Sequence, residues 1–96
     1  MQIDLSQEFL EESAEKLRAI AHPVRLAIIE WLFQKKEMTV TELFEALDIE
    51  QATMSHHLRL MKDQKIVKVK REGKNSIYYL ANEKYRDIIE ILEVES

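Results

Sequence analysis

Between Gln51 and Lys74 the chain concentrates groups that donate hydrogen bonds or carry positive charge. In the stretch Gln51-Ala52-Thr53-Met54-Ser55-His56-His57-Leu58-Arg59-Leu60-Met61, the apolar residues Met54, Leu58 and Met61 recur at helical spacing and define an inner side. At about 100° per residue the opposite side holds Ala52, His56, Arg59 and Asp63, flanked by Thr53 and Ser55, with Gln51 in the first turn. These types suit a major groove. Glutamine can bond adenine through two atoms, serine and threonine can bond bases or phosphate, alanine can touch a thymine methyl, and Arg59 can reach a guanine or a phosphate. A helix N-terminus adds free N–H groups that favour phosphate. Downstream, Lys70, Arg71 and Lys74 flank the turn Glu72-Gly73-Lys74-Asn75, and a basic hairpin tip beside such a helix suits phosphate or minor-groove contact. Without a partner the same residues form an ordinary solvated face.

The formal net charge of −4 argues against nucleic acid, but its distribution argues for it. Arg59, Lys62, Lys65, Lys68, Lys70, Arg71 and Lys74 are opposed within residues 51–74 only by Asp63 and Glu72, and both flanks are acidic. Association with DNA depends on the local field rather than the total.

Other chemistries find little support. His56 and His57 are adjacent, so on a helix they point about 100° apart and are ill placed to grip one metal ion. His57 leans to the inner side as a packing residue with one satisfied nitrogen; His56 faces outward; His22, before Pro23, reads as a cap or half-buried turn residue. The chain has no cysteine, hence no disulfide, thiolate metal site or thiol switch. No nucleophile–base pair, carboxylate dyad or phosphate-binding glycine loop is visible, so neither an enzyme nor a bound metal or cofactor is expected. The N-terminus shows no signal pattern, and the densest apolar run, Leu26–Phe33, is interrupted by Glu30 and too short to span a bilayer. A cytoplasmic protein without a membrane partner is the expectation.

The elements that must position these residues read as a single domain over 1–96, mainly α with a small β-hairpin. Ser6 caps a helix from about Gln7 to Ile20 with Leu10, Ala14, Leu17 and Ala21 on one stripe. Pro23 opens a second helix whose Val24–Phe33 segment is apolar nearly all round, as a central helix should be. Thr39 and Glu42 fit a capping box before a short third helix with Val40, Leu43 and Leu47 inward. Asp48-Ile49-Glu50 is a tight turn, and the fourth helix runs from about Gln51 to Gln64. The period then changes. Ile66, Val67 and Val69 alternate with Lys68 and Lys70, and Ser76–Leu80 forms the second strand of the hairpin. A last helix spans about Glu83–Glu93, with Ile88, Ile91 and Leu92 apolar and Tyr85 a turn earlier. Four helices, a basic hairpin and a fifth helix make a winged helix-turn-helix, with the helix-turn-helix at about 40–64 and the wing at about 66–81.

Three stretches carry a resemblance to a known family. Leu17-Arg18-Ala19-Ile20-Ala21-His22-Pro23-Val24-Arg25-Leu26-Ala27-Ile28, the Gln51–Met61 stretch, and Arg71-Glu72-Gly73-Lys74 with Tyr78-Tyr79-Leu80 together resemble the ArsR/SmtB family of arsenical-repressor-like regulators. The resemblance implies a homodimer built from the first and last helices, about 7–20 and 83–93, and a duplex DNA operator bound until a signal releases it. It places base contacts at Gln51, Ala52, Ser55 and His56, which overlap the face derived above. Two departures bear on the signal. The family's thiol metal sites need cysteines, absent here, and the last-helix site needs histidine, where this chain offers only Asp87, Glu90 and Glu93. The glycine usual before the wing is replaced by Lys65. The inducer is left open. Alternatives are a winged-helix module that binds a protein, favoured by the negative charge, and an apolar ligand pocket under Phe9, Trp31 or Tyr85, although such aromatics ordinarily pack in cores and interfaces.

Overall fold

The computed structural model describes residue 3 and residues 5–94. Helix α1 spans Gln7–Arg18 and begins where the Ser6 hydroxyl accepts the Phe9 N–H at 3.2 Å. It stops two residues short of the expected Ile20 because Ala19 and Ile20 turn into the core, with the His22 N–H bonding the Ile20 carbonyl at 2.7 Å. Helix α2, Pro23–Lys35, takes Pro23 in its first turn, and His22 Nδ1 accepts the Val24 N–H at 3.1 Å. Its Ile28, Ile29 and Leu32 are fully buried, which makes it the central helix. Helix α3, Val40–Leu47, carries the expected capping box in both directions: Thr39 Oγ1 accepts from Glu42 N at 3.1 Å and Glu42 Oε1 from Thr39 N at 2.9 Å. Helix α4 follows at Gln51–Asp63.

The hairpin is part of a larger sheet than expected. A two-residue strand β1, Met38–Thr39, joins β2, Val67–Glu72, and β3, Asn75–Leu80, in the antiparallel order β1-β3-β2. Met38 pairs with Tyr78, and Val69 pairs with Tyr78 from the other side. So short a strand has no period to read, and pairing alone defines it. The turn is also tighter than expected. Glu72 pairs directly with Asn75, leaving only Gly73 and Lys74 between the strands, and Gly73 has φ 61°. Glycine at the first central position is what a two-residue type II′ hairpin requires.

The expected single helix at 83–93 is split into a 3-10 turn, Glu83–Tyr85, and α5, Arg86–Glu93. Asn82 Oδ1 accepts the Lys84 N–H at 2.9 Å, which tightens that first turn. Arg86 then fastens α5 to α2: its Nε donates to Glu30 at 3.1 Å and its guanidinium lies 5.2 Å from the Phe33 ring centre. The Glu30 carboxyl is held below its ordinary value by hydrogen bonds from Gln34 and Arg86. The core joins α2, α3, α4 and the sheet, whereas α1 contributes no buried side chain. Among the described residues no helix is long and apolar enough to cross a membrane.

Lys36, Asp48 and Lys65 adopt positive φ (74°, 54° and 60°), each directly following a helix or its last cap residue. At Lys65 the helix end is closed by Lys65 N to Lys62 O and Ile66 N to Met61 O, both 2.9 Å, with Ile66 and Met61 fully buried. That is the Schellman arrangement, which ordinarily has glycine at the left-handed position. The strain of a side chain there, about 1–2 kcal/mol, exceeds the extra chain entropy that glycine loses, about 0.5–1 kcal/mol. Lys65→Gly is therefore expected to raise stability by about 0.5 kcal/mol, read as a higher urea midpoint at unchanged slope. A lower midpoint would show that the Lys65 stem contributes more than its backbone costs.

Candidate nucleic-acid interface

The helix-turn-helix consists of α3, the turn Asp48–Glu50 and α4. Leu43 anchors α3 in the core, and left-handed Asp48 reverses the chain while Ile49 N bonds the Phe44 carbonyl at 3.1 Å. Glu50 is the residue before α4, with no side-chain cap on the helix's first N–H groups. Met54, Leu58 and Met61 are fully buried, so one side of α4 is spent on the core. Every expected α4 contact residue, Gln51, Ala52, Thr53, Ser55, His56 and Arg59, is exposed. His56 Nδ1 lies 3.3 Å from Arg59 Nη2, which draws those two side chains together across one turn.

Among the described residues, His57 is the one buried polar side chain, 6 % exposed. Its Nδ1 accepts from Arg25 Nε at 3.1 Å, and Arg25 Nη1 also donates to the Arg18 carbonyl at 3.3 Å. The His22 ring packs 4.6 Å from it. Arg25 therefore ties the end of α1 and the start of α2 to the middle of α4. The expectation of one satisfied nitrogen on His57 holds; Arg25 as its partner, 32 positions away, had no signal in the sequence.

Burial, reinforced by positive neighbours at His22, Arg25 and His56, holds the His57 imidazole below its ordinary value of 6.5. The folded protein thus prefers His57 neutral, whereas the unfolded chain takes up a proton as pH falls through that ordinary value. Stability from this residue is full above it and is lost as pH falls toward the folded value. The expected result is a Tm that falls on acidification from neutral pH, with a flatter profile in His57→Gln. Parallel profiles for the two proteins would remove His57 as the cause.

On the wing, Arg71 is exposed near the tip, with Nη1 donating to Ser76 Oγ at 3.4 Å, and Lys74 is exposed in the turn itself. Lys70 departs from expectation. Its ammonium is bound to Glu37 at 2.9 Å and lies 3.5 Å from Glu72, and the Glu37 hydrogen bond raises its pKa. It braces the hairpin against the segment before α3 instead of serving the tip.

The donor chemistry for a regulatory metal does not fit the family's sites. The sequence has no cysteine, α5 carries Asp87, Glu90 and Glu93 without histidine, and among the described residues no group of three candidate ligands converges.

Known proteins share this arrangement. A helix-turn-helix domain family matches residues 20–70. The transcriptional repressor PagR of Bacillus anthracis is 39% identical over 83 residues, spanning 86% of this chain and 83% of that protein. Its crystal structure superposes with TM-score 0.79 at 36% identity, covering 91% of this chain and 99% of that one. The repressor SmtB of Mycobacterium tuberculosis is 36% identical over 83 residues, 86% of this chain and 61% of its own length. The homodimeric winged helix-turn-helix DNA-binding domain of a possible ArsR-family regulator from Mycobacterium bovis, solved by NMR, matches with TM-score 0.82 at 28% identity over 98% of this chain and 86% of that one. With the fold, the exposed face of α4 and these relatives in agreement, the chain belongs to the ArsR/SmtB family of winged helix-turn-helix transcriptional regulators.

Proposed function

We propose that the protein is a dimeric, cytoplasmic, non-enzymatic repressor that inserts α4 of each protomer into the major groove of a palindromic operator. The observation that carries this is the division of α4 into a fully buried row, Met54, Leu58 and Met61, and an exposed polar face, Gln51, Ala52, Thr53, Ser55, His56 and Arg59. Arg71 and Lys74 at the wing tip extend that face toward the phosphates. The exposed apolar side chains Phe9, Leu10 and Leu17 on α1, with Ile91, Leu92 and Val94 at the end of the chain, supply a surface for a second copy. Two recognition helices related by a two-fold axis read half-sites roughly 34–36 Å apart. The operator is bound without metal, a reading supported by the donor set described above.

An anisotropy titration with the DNA upstream of the protein's own gene, at two salt concentrations and with a panel of divalent metals, tests the proposal. Binding should prefer that DNA over random sequence and weaken steeply with salt, because bound phosphates release counterions. No sequence preference and little salt response would favour a protein-interaction module, to which the negative net charge also points. Arg59→Ala and His56→Ala should each reduce operator affinity about tenfold or more, since a good base contact is worth about 1–3 kcal/mol. Parental affinity in both variants would sink the assignment of this face.

A further inference from the structure

The basic block of the sequence does not remain one patch. Arg71 and Lys74 go to the wing tip, Lys70 is neutralised by Glu37, and Lys62, Lys65 and Lys68 line an open groove of about 520 Å³ at the base of the wing. Lys62 belongs to the end of α4, Lys65 follows it, and Lys68 is on β2. Val67, Val69, Ala81 and the rings of Tyr79 and Tyr85 make the lining largely apolar, and Asn82 completes it.

Three observations characterise this groove. No carboxylate lines it, although the chain is acidic and four other depressions on the described surface each include at least one glutamate. The ammonium groups of Lys62, Lys65 and Lys68 have no hydrogen bond or ion pair among the described residues, whereas Lys16, Lys36 and Lys70 are held by the Gln64 carbonyl, Glu83 and Glu37. The half-buried Tyr79 and Tyr85 likewise have hydroxyls without a partner among those residues. Unpaired cations over an apolar, aromatic floor are complementary to a molecule with a carbon-rich body and a negative group. The volume falls within the range of about 300–1,000 Å³ usual for small-molecule sites.

We infer that this groove binds an amphipathic organic anion, a carboxylate on an aromatic or acyl body, and that its occupancy changes the affinity for DNA. The body lies on Tyr79, Tyr85 and the valines, and the carboxylate meets the lysines. The walls come from the end of α4, from the wing, and from the 3-10 turn that leads into α5. An occupant therefore touches the element that carries the proposed DNA face and the one that leads into the proposed dimer surface. Only the effect on DNA rests on the proposed function; binding to the free protein does not.

The first experiment needs no DNA. The ¹⁵N-labelled protein is titrated with 1-naphthoate and decanoate to millimolar concentration, with 1-naphthamide as the uncharged control. Saturable shifts confined to residues around Lys62–Val69 and Tyr79–Tyr85 are expected, with about tenfold weaker binding of the amide, and about tenfold weaker naphthoate binding in the double variant Lys62→Gln with Lys68→Gln. Absence of saturable shifts, shifts that map instead to the α1 and α5 apolar residues, or equal binding of acid and amide would each overturn the site. The second experiment repeats the operator titration with saturating naphthoate. A change in affinity in the parent, abolished in the double variant, supports the coupling. An unchanged affinity overturns the coupling and leaves the site standing. If the double variant binds DNA more weakly with a lower salt slope and naphthoate gives no shifts, the lysines serve phosphate and the ligand proposal fails.

Discussion

Leu58→Ala should lower the free energy of unfolding by about 2–5 kcal/mol, the usual range for a buried leucine truncated to alanine. Leu58 is fully buried between Met54 and Met61 on the inner row of α4, in the cluster that α2 and α3 complete with Ile28, Leu32 and Leu43. Two costs combine. The methyl groups lose their transfer free energy, and neighbours anchored on three helices cannot collapse into the cavity. A domain of this size has about 5–15 kcal/mol in total, so the loss takes a large share of it. The comparison is Leu10→Ala on the exposed side of α1, which should fall within about 0.5 kcal/mol of the parent at concentrations where the chain is monomeric. Urea unfolding of both variants decides the matter. A Leu58→Ala loss below about 1 kcal/mol would mean that α4 is not held by its inner row, and its outer face would lose its fixed orientation.

The other large effect concerns self-association. Leu17 and Leu92 are 57 % and 59 % exposed, on α1 and α5 respectively, and both belong to the surface proposed to meet a second copy. Leu17→Glu combined with Leu92→Glu places carboxylates in that apolar seam, and two-fold symmetry repeats each change on the partner. At about 1 kcal/mol or more for each unpaired charge held at the seam, the dimer should weaken about a thousandfold. Sedimentation should show a monomer where the parent is a dimer, and operator affinity should fall with it because the two half-sites no longer act together. Retention of the folded state follows from the absence of buried side chains on α1 and α5, and circular dichroism checks it. An intact dimer in the double variant would place the interface elsewhere.

Much of the architecture was legible because it depends on local rules. Pro23 and the Thr39–Glu42 capping box marked helix starts, and the spacing of Met54, Leu58 and Met61 marked the inner side of α4. Gly73, the only glycine, marked the hairpin turn. What could not be read depends on partners distant in sequence. Strand β1 exists only because Met38 and Thr39 meet Tyr78 and Ile77. Lys70 looked like a wing-tip cation until Glu37 came within 2.9 Å of it. The link from Arg25 to His57 joins residues 32 positions apart, and the packing role read for His57 gave no hint of its partner. The exposed face of α4 was legible for the same reason as its buried row, since each is the complement of the other on one helix.

Lys36, Asp48 and Lys65 turn the chain after α2, α3 and α4 with side chains where glycine would be the easier choice. A joint made of such residues has fewer accessible backbone states than a glycine joint, in the unfolded chain as in the folded one. The joint at Asp48 between α3 and α4 therefore has fewer conformations to lose when a partner arrives than a glycine joint would have. For calorimetry this means that association with a duplex should carry the negative heat-capacity change of the surface it buries, without the added increment that accompanies a segment folding as it binds. The protein would then bind as a rigid key, and the bending needed to fit two half-sites would fall on the DNA.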